Sequence, residues 1–228
     1  MTDITRAVAR AIITSQPNES AREAARQGLL DFIAVTLPVI RGNAPAPALT
    51  QIKALWPGQD ARSRALKLGY CAHALDFDDF HRDFRGHPGA VILSALLALA
   101  PDIPGLLPDT FLDAWVIGVE MAGRLGLAAG NSHYLNGFHN TSTLGTLAAC
   151  AAIARLAGAS EADTASMLSA STSMATGLRV QFGTEIKPLH AGLAAQAAVT
   201  AAQLTLSGIQ ASGQDALRYF LAAYSPQT

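Results

Sequence analysis

The sequence predicts an all-α protein, and three observations carry the prediction. Half of the residues are hydrophobic but only 6% are aromatic, and alanine and leucine dominate the apolar share. That mixture suits close-packed helices better than sheets. No segment sustains the apolar–polar alternation of a half-buried strand, and helix start and stop signals recur along the chain.

The elements follow in order. A first helix is expected over Ile4 to Ser15. A second starts at Ser20, where Ser20 and Glu23 have capping-box spacing, and runs to the neighbourhood of Pro38. Arg41 to Ala48, RGNAPAPA, reads as a proline-broken linker before a short helix up to Trp56. Gly69 to Phe77 reads as the end of the next helix, with Tyr70, Ala74 and Phe77 on one apolar side. After a loop, an apolar helix runs from Pro88 to about Ala100, and Pro101 to Pro108 makes a turn. A long helix over Asp109 to Ala129 carries Phe111, Trp115, Val119, Ala122 and Leu125 at core-face spacing. Another follows Thr141 and stops near Gly158, a good glycine for a helix end. Ser160 with Asp163 opens the next, to about Ala175, and a final pair covers Pro188 to Ser207 and Gln214 to Tyr224. The whole chain, residues 1–228, is read as one helical domain, long enough to bury a core.

Charge and pattern exclude several functions. The net charge is −1 with no basic stripe, which argues against nucleic acid as a partner. Apolar runs such as Ala90 to Ala100 fall short of the ~20 residues of a membrane span. The start, MTDITRAVARAI, lacks the pattern of a secretory signal, so a cytoplasmic location is expected. Cys71 and Cys150 lack metal-like spacing and read as buried thiols.

The chemistry concentrates in Cys71 to Ala90, CAHALDFDDFHRDFRGHPGA. This stretch gathers Asp76, Asp78, Asp79, His73, His81 and His87 in a chain that is only 14% charged. Asp76, Asp78 and Asp79 are expected to crowd the C-terminal turn of that helix, where the dipole opposes them by about 0.3–1 kcal/mol each. A carboxylate so placed is a candidate for a raised pKa and for proton chemistry. Other polar exceptions stand at expected helix starts: His87 before Pro88, His139 before a helix that Asn140 or Thr141 would cap, and Lys187 before Pro188 with His190 close behind. Proline should hold His87 and Lys187 extended, ahead of their helices. Three helix N-termini bearing a cation or histidine would suit a polycarboxylate if they converge. Against this, a lone histidine is more often a surface or satisfied core residue, and His73, His81 and His133 are read that way. Asp78 reads as a loop carboxylate bonding backbone amides, and Glu120 with Arg124 as a structural ion pair. Asp76, Asp79 and His87 lack a compact metal-ligand motif, so metal is the weaker option.

Four motifs in order, ALDFDDF with HPGAV, GVEMAGRLGLAAG, HYLNGFHNTSTLGTLAACAAIARLAG and KPLHAGLAAQAA, resemble the MmgE/PrpD family. The family includes 2-methylcitrate dehydratase, cis-aconitate decarboxylase and iminodisuccinate epimerase. The resemblance implies a large helical domain with an active site facing a smaller α+β lid. It also implies cofactor- and metal-independent lyase or isomerase chemistry on a small di- or tricarboxylate, similar to that of 2-methylcitrate dehydratase. In that chemistry a proton leaves beside a carboxylate, followed by loss of water, loss of CO2 or reprotonation. By motif, Asp76, His87, His139 and Lys187 match the family's catalytic positions. His87 or His139 would move the proton, Asp76 would orient or share it, and Lys187 would hold a substrate carboxylate. A homodimer is implied as well.

The chain also departs from the family. It is about half the usual length and has no counterpart of the lid, which supplies a basic residue and a tyrosine. Phe80 stands where a threonine is frequent, and the loop FHRDFRG is slightly long. Its Arg82 and Arg85 are candidate replacements for the lost cation, and with Lys187 and His190 complete the expected substrate-binding set. The alternative is a non-catalytic helical domain that binds a carboxylate or dimerises, or is completed by a separate lid-bearing partner.

Overall fold

Ten α-helices and two short 3-10 helices, with no strand among them, make up the regular structure of residues 3–225, the part described by this computed structural model. The α-helices are α1 (Ile4–Thr14), α2 (Glu19–Ile40), α3 (Leu49–Leu55), α4 (Ala61–His73), α5 (Pro88–Leu99), α6 (Pro108–Leu135), α7 (Asn140–Leu156), α8 (Glu161–Thr172), α9 (Ile186–Leu206) and α10 (Ala216–Tyr224). No helix among the described residues is long and apolar enough to cross a membrane.

The most apolar helices are the innermost. Helix α7 is buried on every side, and α5 nearly so, as expected of helices without a polar face. Around them α4, α6 and α9 pack directly, with α4 against α9 the most extensive pairing. That pairing rests on two glycines. A Cβ on Gly69 would lie 2.7 Å from Gly192 Cα, and one on Gly192 would lie 2.3 Å from the Leu66 carbonyl oxygen. Only glycine lets the two backbones come this close. The contact brings the end of α4 against the start of α9.

Two clasps tie the outer helices down. Asp113 on α6 is nearly buried and accepts from Arg22 on α2 at 2.8 Å, with Arg155 of α7 at 3.5 Å. Asp215, just before α10, accepts the Ile4 and Thr5 backbone N–H groups at 2.9 and 3.0 Å and the Thr5 hydroxyl at 2.9 Å. The Thr5 hydroxyl in turn accepts from the Leu217 N–H, which joins α1 to α10. Burial alone would raise the Asp215 pKa, but these donors and Arg218 hold it down at about 2.

Several boundaries differ from the sequence reading. Asn18, not Ser20, caps α2 by accepting from the Ala21 N–H, while Glu23 pairs with Arg26 and Gln27. Asn18 sits extended after Pro17 and caps as well as serine does. Helix α6 continues past Ala129 to Leu135 across a kink at Gly130, whose φ of 61° and ψ of −158° are non-helical. Helix α9 begins at Ile186, so Lys187 lies inside the first turn instead of extended ahead of it. Pro188 is tolerated there because first-turn N–H groups have no intrahelical partner. Helix α4 stops at His73, so Asp76, Asp78 and Asp79 lie in the following loop and do not oppose its dipole. Cys71 and Cys150 are buried free thiols, as read from the sequence.

Candidate functional site

The loop between α4 and α5 is fixed at both ends. Asp76 and Arg85 both have φ of 54°, a left-handed conformation that aspartate accepts more readily than arginine. Phe84 between them is fully buried. The Phe84 carbonyl accepts from the Asn140 side chain at 2.8 Å, and the His87 N–H donates to the Thr141 hydroxyl at 3.1 Å. Asn140 and Thr141 therefore pin the site loop; neither side chain caps α7, whose cap position is His139.

Asp79 occupies the N-terminus of α5, where both of its oxygens accept the Gly89 N–H, at 2.9 and 3.1 Å. Burial pushes its pKa up to about 7, with help from Asp78 and against the Gly89 bond. The sequence reading expected a raised aspartate pKa in this run; the structure assigns it to Asp79 and to burial.

The helix starts do converge. Lys187 Nζ contacts Asp76 Oδ1, and His87 Nε2 lies 3.8 Å from the same oxygen. His87 Nδ1 is 3.4 Å from Asp78 Oδ1. Asp78 is nearly buried, with both oxygens 3.1 Å from His73 Nδ1. The His73 ring is 4.7 Å from His87 and stacks on His139 at 5.8 Å, and His139 Nδ1 is 3.2 Å from His190 Nδ1. The four histidines and two aspartates thus form one continuous polar cluster, with Lys187 at its mouth. Phe182 covers it edge-on to His139, 4.9 Å between centroids, with Lys187 Nζ 5.2 Å from its ring centre. The segment carrying Phe182 is set by two backbone bonds, His139 N–H to the Gly177 carbonyl and Arg179 N–H to the Gly137 carbonyl.

Electrostatics separate the members of the cluster. Burial lowers the pKa of His139 to about 2, and the charge interaction with His73 adds to that. Burial also lowers His87, against the attraction of Asp78, and lowers His190. Burial would raise Asp76, but the Lys187 hydrogen bond and charge outweigh it and hold the carboxylate below its usual value. At neutral pH the site therefore holds neutral imidazole bases beside a lysine–aspartate pair. That is a workable arrangement for removing a proton next to a bound carboxylate.

Arg82 and Arg85 stand apart from this cluster. Arg82 is almost fully exposed and pairs with Asp83, while Arg85 donates to the Gly130 carbonyl at 3.4 Å. His73 and Asp78, read from the sequence as background, lie at the centre of the cluster. The usable signal for His73 was its place on the buried stripe of α4, after Leu66, Gly69 and Tyr70. His133 and the Glu120–Arg124 pair match the structural reading: His133 is satisfied by Thr143 and Ser225, and the pair is an exposed i,i+4 contact. His73, Asp76, Asp78 and His87 also hold ligand atoms close enough for a metal ion, although their spacing in sequence gives no compact motif. A groove of about 580 Å³ between α1, α6 and α10 is lined mainly by apolar side chains, among them Val8, Ile12, Met121 and Leu217. Its Glu120 and Arg124 neutralise each other, so it offers no comparable chemistry.

Known proteins resemble this chain in sequence. The chain is 33% identical to human cis-aconitate decarboxylase over 168 residues, 70% of this chain and 35% of that protein. It is 31% identical to the mouse cis-aconitate decarboxylase over 70% of this chain, and 30% identical to a cis-aconitate decarboxylase-like protein of Aspergillus oryzae over 64%. The chain spans about a third of the length of these curated relatives. The family described as the MmgE/PrpD N-terminal domain matches residues 2–219, which include every residue of the polar cluster. The chain belongs to the MmgE/PrpD family, over its N-terminal domain.

Proposed function

We propose that the cluster performs carboxylate lyase or isomerase chemistry on a small di- or tricarboxylate. For dehydration or epimerisation a proton beside a carboxylate would be abstracted first, whereas for decarboxylation the electron pair left as CO2 departs would take up a proton from the site. The observation that carries this reading is the meeting of Lys187 and His87 at Asp76 beside buried, neutral His139 and His190. In such a site Lys187 would bind a substrate carboxylate in exchange for Asp76. A neutral His87 or His139 would take the proton, and the released Asp76 would orient it. The relatives named cis-aconitate decarboxylase make cis-aconitate the first substrate to test, with 2-methylcitrate next. The homodimer expected from the sequence is part of this proposal. A sedimentation profile showing only monomer would overturn that part.

One observation favours a second reading, in which the site binds its ligand but turns over only when covered. Phe77, Phe80, Val180 and Phe182, on the loops that carry the cluster, are all substantially exposed. Such a rim invites a cover, and an uncovered site admits water that weakens each electrostatic contact. NMR in D2O with a panel of di- and tricarboxylates, on the wild type and His139→Ala, separates the readings. Deuterium incorporation or new product signals that vanish in the variant support the enzyme. Perturbed ligand signals without exchange support the covered site. No effect on any ligand, from a folded sample, overturns both.

A further inference from the structure

We infer that His73, Asp76, Asp78 and His87 bind a divalent transition-metal ion of the zinc class, in competition with Lys187. One ligand atom from each of the four lies within 4.8 Å of all the others. A tetrahedral zinc site with nitrogen and oxygen ligands at 2.0–2.1 Å has edges of about 3.3 Å. Two edges of that size are already present: His73 Nδ1 to Asp78 at 3.1 Å, and His87 Nδ1 to Asp78 Oδ1 at 3.4 Å. The metal would sit between His73 Nδ1 and the Asp78 oxygens, in place of the contact they now make. Asp76 is the one loose corner. Its carboxylate is 56% exposed, so it can turn inward as the fourth ligand, and it marks the side from which an ion enters.

One further feature favours an ion here. His73 Nε2 is buried without a hydrogen-bond partner, so no second bond anchors the ring against turning Nδ1 to a metal. Two imidazoles with two carboxylates suit zinc or cobalt and are poor for magnesium.

Lys187 supplies the opposing force. Its ammonium contacts Asp76, and the ion must displace it. A bound metal would also occupy His87, so it would act as a reversible inhibitor of any proton chemistry and not as a cofactor. The inference concerns ion binding alone and does not rest on the lyase reading.

The test is a titration of the full chain with cobalt(II), followed by visible absorption, with zinc(II) as competitor and magnesium as control. The expected result is one equivalent with an intense tetrahedral spectrum, abolished by zinc and unaffected by magnesium. Asp76→Asn should weaken cobalt binding about tenfold or more. Lys187→Met should tighten it, because the competing cation is gone. Asp76 is 56% exposed, so its test does not depend on a buried substitution folding, and in the less exposed Lys187→Met a methionine of similar length replaces the lysine stem. Absence of a tetrahedral spectrum, or binding that Lys187→Met leaves unchanged or weakens, overturns the inference.

Discussion

Asp79 and His139 titrate in opposite senses, so each conceals the other in the stability of the wild type. The folded-state pKa of Asp79 is raised to about 7 from an ordinary 3.8. Between those values the folded chain holds a proton that the unfolded chain has lost, so stability falls as pH rises through this window. His139 is depressed to about 2 from 6.5. Below 6.5 the unfolded chain binds the extra proton, so stability falls as pH drops. Each full proton of difference is a slope of about 1.4 kcal/mol per pH unit. Asp79→Asn keeps an acceptor for the Gly89 N–H but removes one slope. Its stability in urea should rise steeply from pH ~4 to ~6.5, where the wild type is flatter; parallel profiles would refute the assignment. The sequence shows the aspartate run but not this division of roles. Which carboxylate meets Lys187, which caps α5 and which holds His73 is decided by a left-handed turn at Asp76, where no glycine or proline marks a break.

At the scale of elements, the α4–α9 contact sets the spacing of the site. Gly192→Ala places a Cβ against the fixed Leu66 carbonyl, with no flexible side chain to yield. A loss of about 1–3 kcal/mol is expected. His73 and Asp76 should also separate from His190 and Lys187, visible as shifted histidine NMR signals and a lowered melting temperature. A variant with wild-type stability and unchanged histidine signals would show that the contact is not limiting. Helix existence was largely legible in the sequence because apolar periodicity and caps agree along most of the chain. The α4 end was not: Ala74, Leu75 and Phe77 continue an apolar pattern past the point where the chain turns, and Phe77 ends exposed. The start of α9 was misread for a related reason. Pro188 suggests a boundary, but Tyr70 bonds Glu185 at 2.6 Å and holds the turn that lets the helix begin at Ile186.

At the scale of the molecule, the site draws on α4, α7, α9 and the loops around them, so it exists only when distant parts of the chain have docked. Long-range closure of this kind is costly before its contacts are made, and the cluster should form late in refolding. The clasp at Asp215 belongs to a different part of the structure. Asp215→Ala strips α1 of its charged acceptor and should cost about 2 kcal/mol, while leaving the histidine signals of the polar cluster in place. Altered cluster signals would show that the clasp reaches the site. One carboxylate and one hydroxyl serve both helices, so opening the start of α1 also breaks the bond at the start of α10, although α1 keeps its own pairing of Arg10 with Glu161. The amides of Ile4, Thr5 and Leu217 should therefore exchange with solvent as a single unit, at one opening free energy below that of α7, so that the two ends of the described sequence share a single lifetime at this point.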